Sequence, residues 1–276
     1  MQITGVLTEK LMSVMHNFII IMGVQGMSSE TMLPVCVRAA MLSSVGRYHE
    51  ALLLFSQHDM QDSHGPDELA AWAFTLNRTG RFREALSKCD EAISLDLHCS
   101  NAWFVRGLTL YYLGRYGDAI ACLDKVLLQE PSHAEAWYIK GNCLYLRGEV
   151  EHSVHSYEKV LDVDPRSPKA WYNRGVALAD CGEYEKALES YDECLKENPN
   201  LGVIWTNKGV ALAGLLRYAE AIDAFDMALS LDPDDAAALH NKGISLSRIG
   251  RDSEAMEVME RARKVSTTRS PGKKIW

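Results

Sequence analysis

The stretch WFVRGLTLYYLGRYGDAIACLDKVLLQEPSHAEAW, residues 103–137, opens and closes on a tryptophan. The 34-residue interval from Trp103 to Trp137 recurs at Trp171 and Trp205, and each tryptophan is followed four residues later by a glycine: Gly107, Gly141, Gly175 and Gly209. Carried outward in both directions, the register gives seven consecutive units: 32–65, 66–99, 100–133, 134–167, 168–201, 202–235 and 236–269. No insertion or deletion separates them. Within a unit the fourth place is large and apolar, the eighth is small, and the eleventh is always leucine, from Leu42 to Leu246. These places follow the i, i+4, i+7 rows of one helix face, so each unit is predicted to open with an amphipathic helix. Gly46, Gly80, Gly114, Gly148, Gly182 and Gly250 end that helix, because glycine takes the left-handed conformation without the steric cost of a Cβ. Leu216 is the exception.

A second helix follows. Most units carry an aromatic residue at its start (Tyr48, Phe82, Tyr116, Tyr184, Tyr218) and a small residue three places on: Ala51, Ala85, Ala119, Ser153, Ala187, Ala221, Ala255. Small residues at a helix contact let two axes approach to the near end of the usual range of about 8–10 Å. Pro131, Pro165, Pro199 and Pro233 then stop the second helix, since proline lacks an amide proton and biases the residue before it away from helix.

The order of residue types over 34 residues resembles the tetratricopeptide repeat family, whose signature of tryptophan, leucine–glycine, tyrosine, alanine, aromatic, alanine and proline is met closely by units three to six. The resemblance covers residues 32–269. The first unit, without the tryptophan and glycine, reads as a degenerate terminal repeat. The implied fold is all-α: an α-α superhelical, right-handed solenoid of seven helix-turn-helix repeats, one elongated stack with no internal boundary. The four tryptophans, at the fourth place, are expected in the core of their own repeats.

Charge divides array from flank. Residues 261–276 carry six Lys or Arg and no acid, leaving 23 basic against 37 acidic side chains before residue 261. An acidic array repels phosphate backbones, which argues against nucleic acid as a partner. The basic C-terminal tail, 270–276, reads as a solvated terminus. Seven cysteines without Cys-x-x-Cys spacing or regular pairing point to free thiols in a reducing, cytoplasmic setting, with Cys89, Cys143 and Cys194 at core places. His152 and His155 share a helix face but have no third ligand near them in sequence, so no metal site is expected. Residues 1–31 hold an apolar segment from Leu7 to Val24. His16 and Asn17 interrupt it, leaving too short a run for a membrane span. It reads as a capping helix over the first repeat, with a start at Met27 as the alternative.

No glycine-rich phosphate loop, nucleophile elbow or gathered set of acids and histidines is present, so no enzyme, catalytic residue or cofactor is expected. The resemblance implies a concave groove lined by the first helices through places 2, 5, 6, 9, 12 and 13. Those places hold Phe104, Leu108, Tyr111, Tyr112, Tyr138, Asn142, Tyr145, Tyr172 and Asn173 in units three to five. In the last two units they hold Thr206, Asn207, Val210, His240, Asn241 and Arg248. Tyrosine offers apolar area with a polar tip, a combination common at protein interfaces. Asn173, Asn207 and Asn241 form a ladder that suits the backbone of an extended peptide or else ties neighbouring repeats together. The carboxylate clamp of this family is not matched, because Tyr138, Val203 and Asn207 stand at basic places. Lys140, Arg174, Lys208 and Lys242 recur one residue before each glycine, a place that points sideways toward the repeat junction, and read as a solvated face. The function implied is a non-catalytic scaffold or adaptor holding a protein or peptide in the groove. A self-associating protein, dimeric through its uncapped C-terminal repeat, is the alternative, and an enzyme or carbohydrate-modifying protein is a third reading that would require convergent perturbed groups.

Overall fold

The computed structural model describes residues 35–58 and 64–268, which contain fourteen helices and no strand. Two compact units divide at Cys143 and Leu144, where the sequence leads one to expect no boundary. The first unit holds α1 (Val35–Ser44), α2 (Tyr48–His58), α3 (Pro66–Arg78), α4 (Phe82–Leu95), α5 (Ser100–Tyr112), α6 (Tyr116–Gln129) and most of α7 (Ala134–Leu146). The second holds the end of α7, then α8 (Val150–Val163), α9 (Pro168–Asp180), α10 (Tyr184–Glu197), α11 (Gly202–Gly214), α12 (Tyr218–Leu231), α13 (Ala236–Arg248) and α14 (Asp252–Thr268). From α3 onward every first helix begins at the opening residue of its 34-residue unit. The all-helical repeat architecture is thus the expected one. The proposed capping helix in 1–31 and the tail 270–276 lie outside the described residues.

Each first helix closes in the same way. Gly46, Gly80, Gly114, Gly148, Gly182 and Gly250 have φ between 73° and 84°. The next amide then donates to the carbonyl of the invariant eleventh-place leucine, as Arg81 N does to Leu76 O at 2.9 Å and Glu183 N to Leu178 O at 2.9 Å. This is the six-to-one hydrogen bond of a glycine-terminated helix. Leu216 adopts φ 60° and Arg217 N still reaches Leu212 O at 3.0 Å, so packing imposes the left-handed turn on a leucine.

Helix pairs meet at the small residues. Ala51, Ala85, Ala119, Ser153, Ala187, Ala221 and Ala255 are all buried. The eighth-place glycines face the twenty-fourth place of the same repeat: a Cβ at Gly175 would lie 2.6 Å from the Tyr191 ring, and one at Gly209 2.5 Å from the Phe225 ring. Glycine is required here by close approach, because Tyr191 and Phe225 are themselves buried.

Trp103, Trp137, Trp171 and Trp205 are half-buried rather than fully inside their repeats as expected. The indole N–H explains this. It must find an acceptor, and each donates to the carbonyl six residues earlier, at Leu97, Pro131, Pro165 and Pro199, over 2.8–3.0 Å. The tryptophan thereby ties the inter-repeat turn to the first helix.

Candidate partner-binding site

In the first unit the end of α5 carries an aromatic cluster. Tyr112 is 42% exposed and stands 5.8 Å from the Phe82 ring and 5.6 Å from that of Tyr111, which in turn lies 6.1 Å from Tyr116. Tyr111 and Tyr138 are half-buried and pack on the core, while Asn142 is half-buried on α7. Phe104 and Leu108, expected on the groove, are 2% exposed. First helices of successive repeats pack on one another, and large apolar groups at places 5 and 9 of α5 fall into that contact. Phe104 stacks on the His133 imidazole with ring centroids 4.9 Å apart.

In the second unit the polar groups are largely committed to neighbours. The Tyr145 hydroxyl donates to Asp180 Oδ2 at 2.6 Å, and Asn207 Nδ2 donates to the Tyr172 hydroxyl at 3.2 Å. Asn241 Nδ2 donates to Ala237 O within its own helix, and Asn173 is half-buried on α9. The three ladder amides therefore stand in different situations, and Asn207 ties its repeat to the one before. Thr206 is buried rather than at the surface, donating to Asp235 Oδ2 at 2.8 Å, where Asp235 also caps α13. The first helices still expose Val203, Val210 and Ile244, at 49%, 40% and 37%.

Burial, then the hydrogen bond to Asp180 and the Asp180 charge, push the Tyr145 phenol up to about 12. Because its pKa is raised on folding, the neutral phenol stabilises the fold fully below the ordinary tyrosine value. That contribution is lost as pH climbs from the ordinary value of about 10 through about 12. Stability curves of the wild type and Tyr145→Phe should converge across that window, and difference absorbance at the phenolate band should show one late-titrating group missing from the variant. Parallel curves would contradict the assignment.

The residues one place before the glycines are not a solvated face. Lys140 pairs with Asp124, Arg174 with Glu158, Lys208 with Asp192 and Lys242 with Asp226, each reaching an acid sixteen residues earlier on the preceding repeat's second helix. Arg106 makes the same pair with Asp90. The four cations keep only 15–22% of their side chains exposed, and Lys140, Arg174 and Lys208 lie over the indoles of Trp137, Trp171 and Trp205. Sequence periodicity along one helix does not reveal them, because the partner is on another helix.

Among the described residues, no group of three or more His, Cys, Asp or Glu is placed to hold a metal, and no helix is long and apolar enough to cross a membrane. Cys89, Cys99, Cys122, Cys143 and Cys194 are buried free thiols, and Cys181 is half-buried. Burial pushes the Cys89 thiol far up, away from the thiolate form that reacts.

Models of the tetratricopeptide repeat match residues 168–201 and 203–235, and related repeat models match 104–154 and 141–180. Residues 104–235 are tetratricopeptide repeats. No curated protein matches the chain. Solved tetratricopeptide structures do. The crystal structure of YrrB, described as a TPR protein with an unusual peptide-binding site, superposes with TM-score 0.61 at 20% identity, covering 71% of this chain and 97% of its own. MamA residues 41 to the end from Desulfovibrio magneticus RS-1 gives 0.60 at 20% identity, with 62% and 97% covered. MamA MSR-1 C2 gives 0.57 at 23%, with 62% and 98% covered. These likenesses establish the shared fold.

Proposed function

We propose that the chain is a non-catalytic interaction scaffold whose first-helix faces hold a peptide or an extended segment of a partner protein. The observation that carries this reading is the exposed Tyr112 set against Phe82 and Tyr111, an aromatic surface that no described residue covers. The second unit separately carries exposed Val203, Val210 and Ile244 beside Asn207 and Asn241, apolar area flanked by amides. Tyr111, Tyr138, Asn142, Tyr145, Tyr172 and Asn173 hold these faces in shape from half-buried places. A peptide-binding member of the same fold supports the reading by analogy. Buried free thiols fit work in the cytoplasm.

Selection from a random displayed-peptide library tests the proposal. The wild type should enrich sequences that lose binding to a Tyr112→Ala, Val210→Asp variant, while circular dichroism and the melting transition stay within a few degrees. Equal enrichment by the variant would sink the reading.

A further inference from the structure

Two grooves at equivalent register, one in each unit, differ in chemistry. In the first unit a groove of about 510 Å³ runs between α2 and α4 with α3 as its floor; in the second, a groove of about 450 Å³ runs between α10 and α12 with α11 as its floor. Both have an apolar bottom. In the second it is Leu188, Leu212 and Ala224, all buried, with Met227 45% exposed and the half-buried Trp205 indole at its side.

The rims diverge. The first groove has a single acid, Glu84, hydrogen-bonded to Arg81, and carries Lys88 and His49. At the twenty-second and twenty-fifth places it has Leu53, Ser87 and Ser56. The second groove carries Glu189, Asp223 and Asp192 at those same places, with Glu185 and Glu220 besides. Lys208 answers Asp192, and Arg217 answers Glu220. Glu189 and Asp223 make no ion pair among the described residues, and both are exposed. Neither takes part in an ion pair between repeats, so repeat packing does not demand them.

We infer that the groove between α10 and α12 docks a basic segment of a partner protein that carries an apolar anchor. The volume suits one or two large side chains. The cationic flanks of such a segment complement five carboxylates facing two cations, and they would find unsatisfied partners in Glu189 and Asp223. Its walls are second helices, and its lining shares no residue with the first-helix faces proposed above.

The probe is a short fluorescein-labelled lysine peptide with a central Leu-Trp pair, titrated against the full chain by anisotropy. Glu189→Lys with Asp223→Lys should weaken binding about tenfold, two exposed charge reversals each acting on more than one pairing. Raised salt should weaken it in the same sense, since the rim is screened. Replacing Leu-Trp by Gly-Gly should also weaken it, whereas Leu53→Ser in the first groove should leave it unchanged. Melting curves establish that the charge variant folds, and Met227→Lys at the groove mouth gives a second, independent loss. Equal binding to the charge variant, or indifference to loss of the Leu-Trp pair, would overturn the inference. A dimer in sedimentation that the same double substitution dissolves and the peptide displaces would identify a second copy as occupant, and would equally overturn the assignment to a foreign segment.

Discussion

Gly209→Ala is expected to destabilise the second unit by about 2 kcal/mol, although alanine is the better helix former by about 1 kcal/mol. The new Cβ would stand 2.5, 2.7 and 2.8 Å from three atoms of the Phe225 ring, which is fully buried and cannot step aside. Overpacking of this kind costs about 1–3 kcal/mol, so it outweighs the gain in propensity at its upper end. Gly107→Ala is the internal comparison. There the nearest atom is Leu123 Cγ at 3.1 Å, a smaller overlap against an aliphatic side chain, and the two effects should nearly cancel. Urea unfolding of both variants followed by far-ultraviolet circular dichroism decides the matter. Similar midpoints for the two would mean that the Phe225 contact does not set the requirement for glycine.

Leu216→Gly should raise stability by about 1 kcal/mol. A leucine in the left-handed region costs about 1–2 kcal/mol, and relieving it outweighs the smaller loss from the greater freedom of glycine in the unfolded chain, about 0.4–1 kcal/mol. Leu216 is 71% exposed, so little burial is given up. The reverse exchange at an equivalent turn, Gly182→Leu, should lower stability by a comparable amount, because Gly182 has φ 78° and nothing within 4 Å to hold a side chain. A midpoint for Leu216→Gly at or below that of the wild type would contradict the strain argument.

Much of the fold could be read from the chain because its determinants are local. Residues at places 4, 8 and 11 lie on one helix, and the glycine that closes it follows within a few positions, so Leu216 stands out as a conflict before any coordinate is seen. The site was less legible. Phe104 and Leu108 occupy places that a groove would use, yet whether those places reach solvent depends on how closely the next first helix approaches, a property of two repeats at once. The ion pairs of Lys140, Arg174, Lys208 and Lys242 escape a reading of single helices for the same reason. Their acids lie sixteen residues back, a spacing that belongs to no single helix or turn and emerges only when helices of adjacent repeats are laid side by side. The tryptophans sat at the anticipated register, but their indole N–H groups required a carbonyl, and that requirement drew them partly out of the core.

The sixteen-residue ion pairs have an evolutionary reading. Each repeat from the third onward brings a cation at its seventh place and an acid at its twenty-fifth, Glu260 in the last, so every repeat faces backward with one charge and forward with the other. A gene duplication that inserted a second copy of residues 168–201 would find an acid waiting on one side, Glu158, and a cation on the other, Lys208. Both seams would close without a compensating substitution. Polarity of this kind lets an array change its number of repeats in a single genetic step while keeping every repeat in the same orientation, since an inverted joint would bring like charges together.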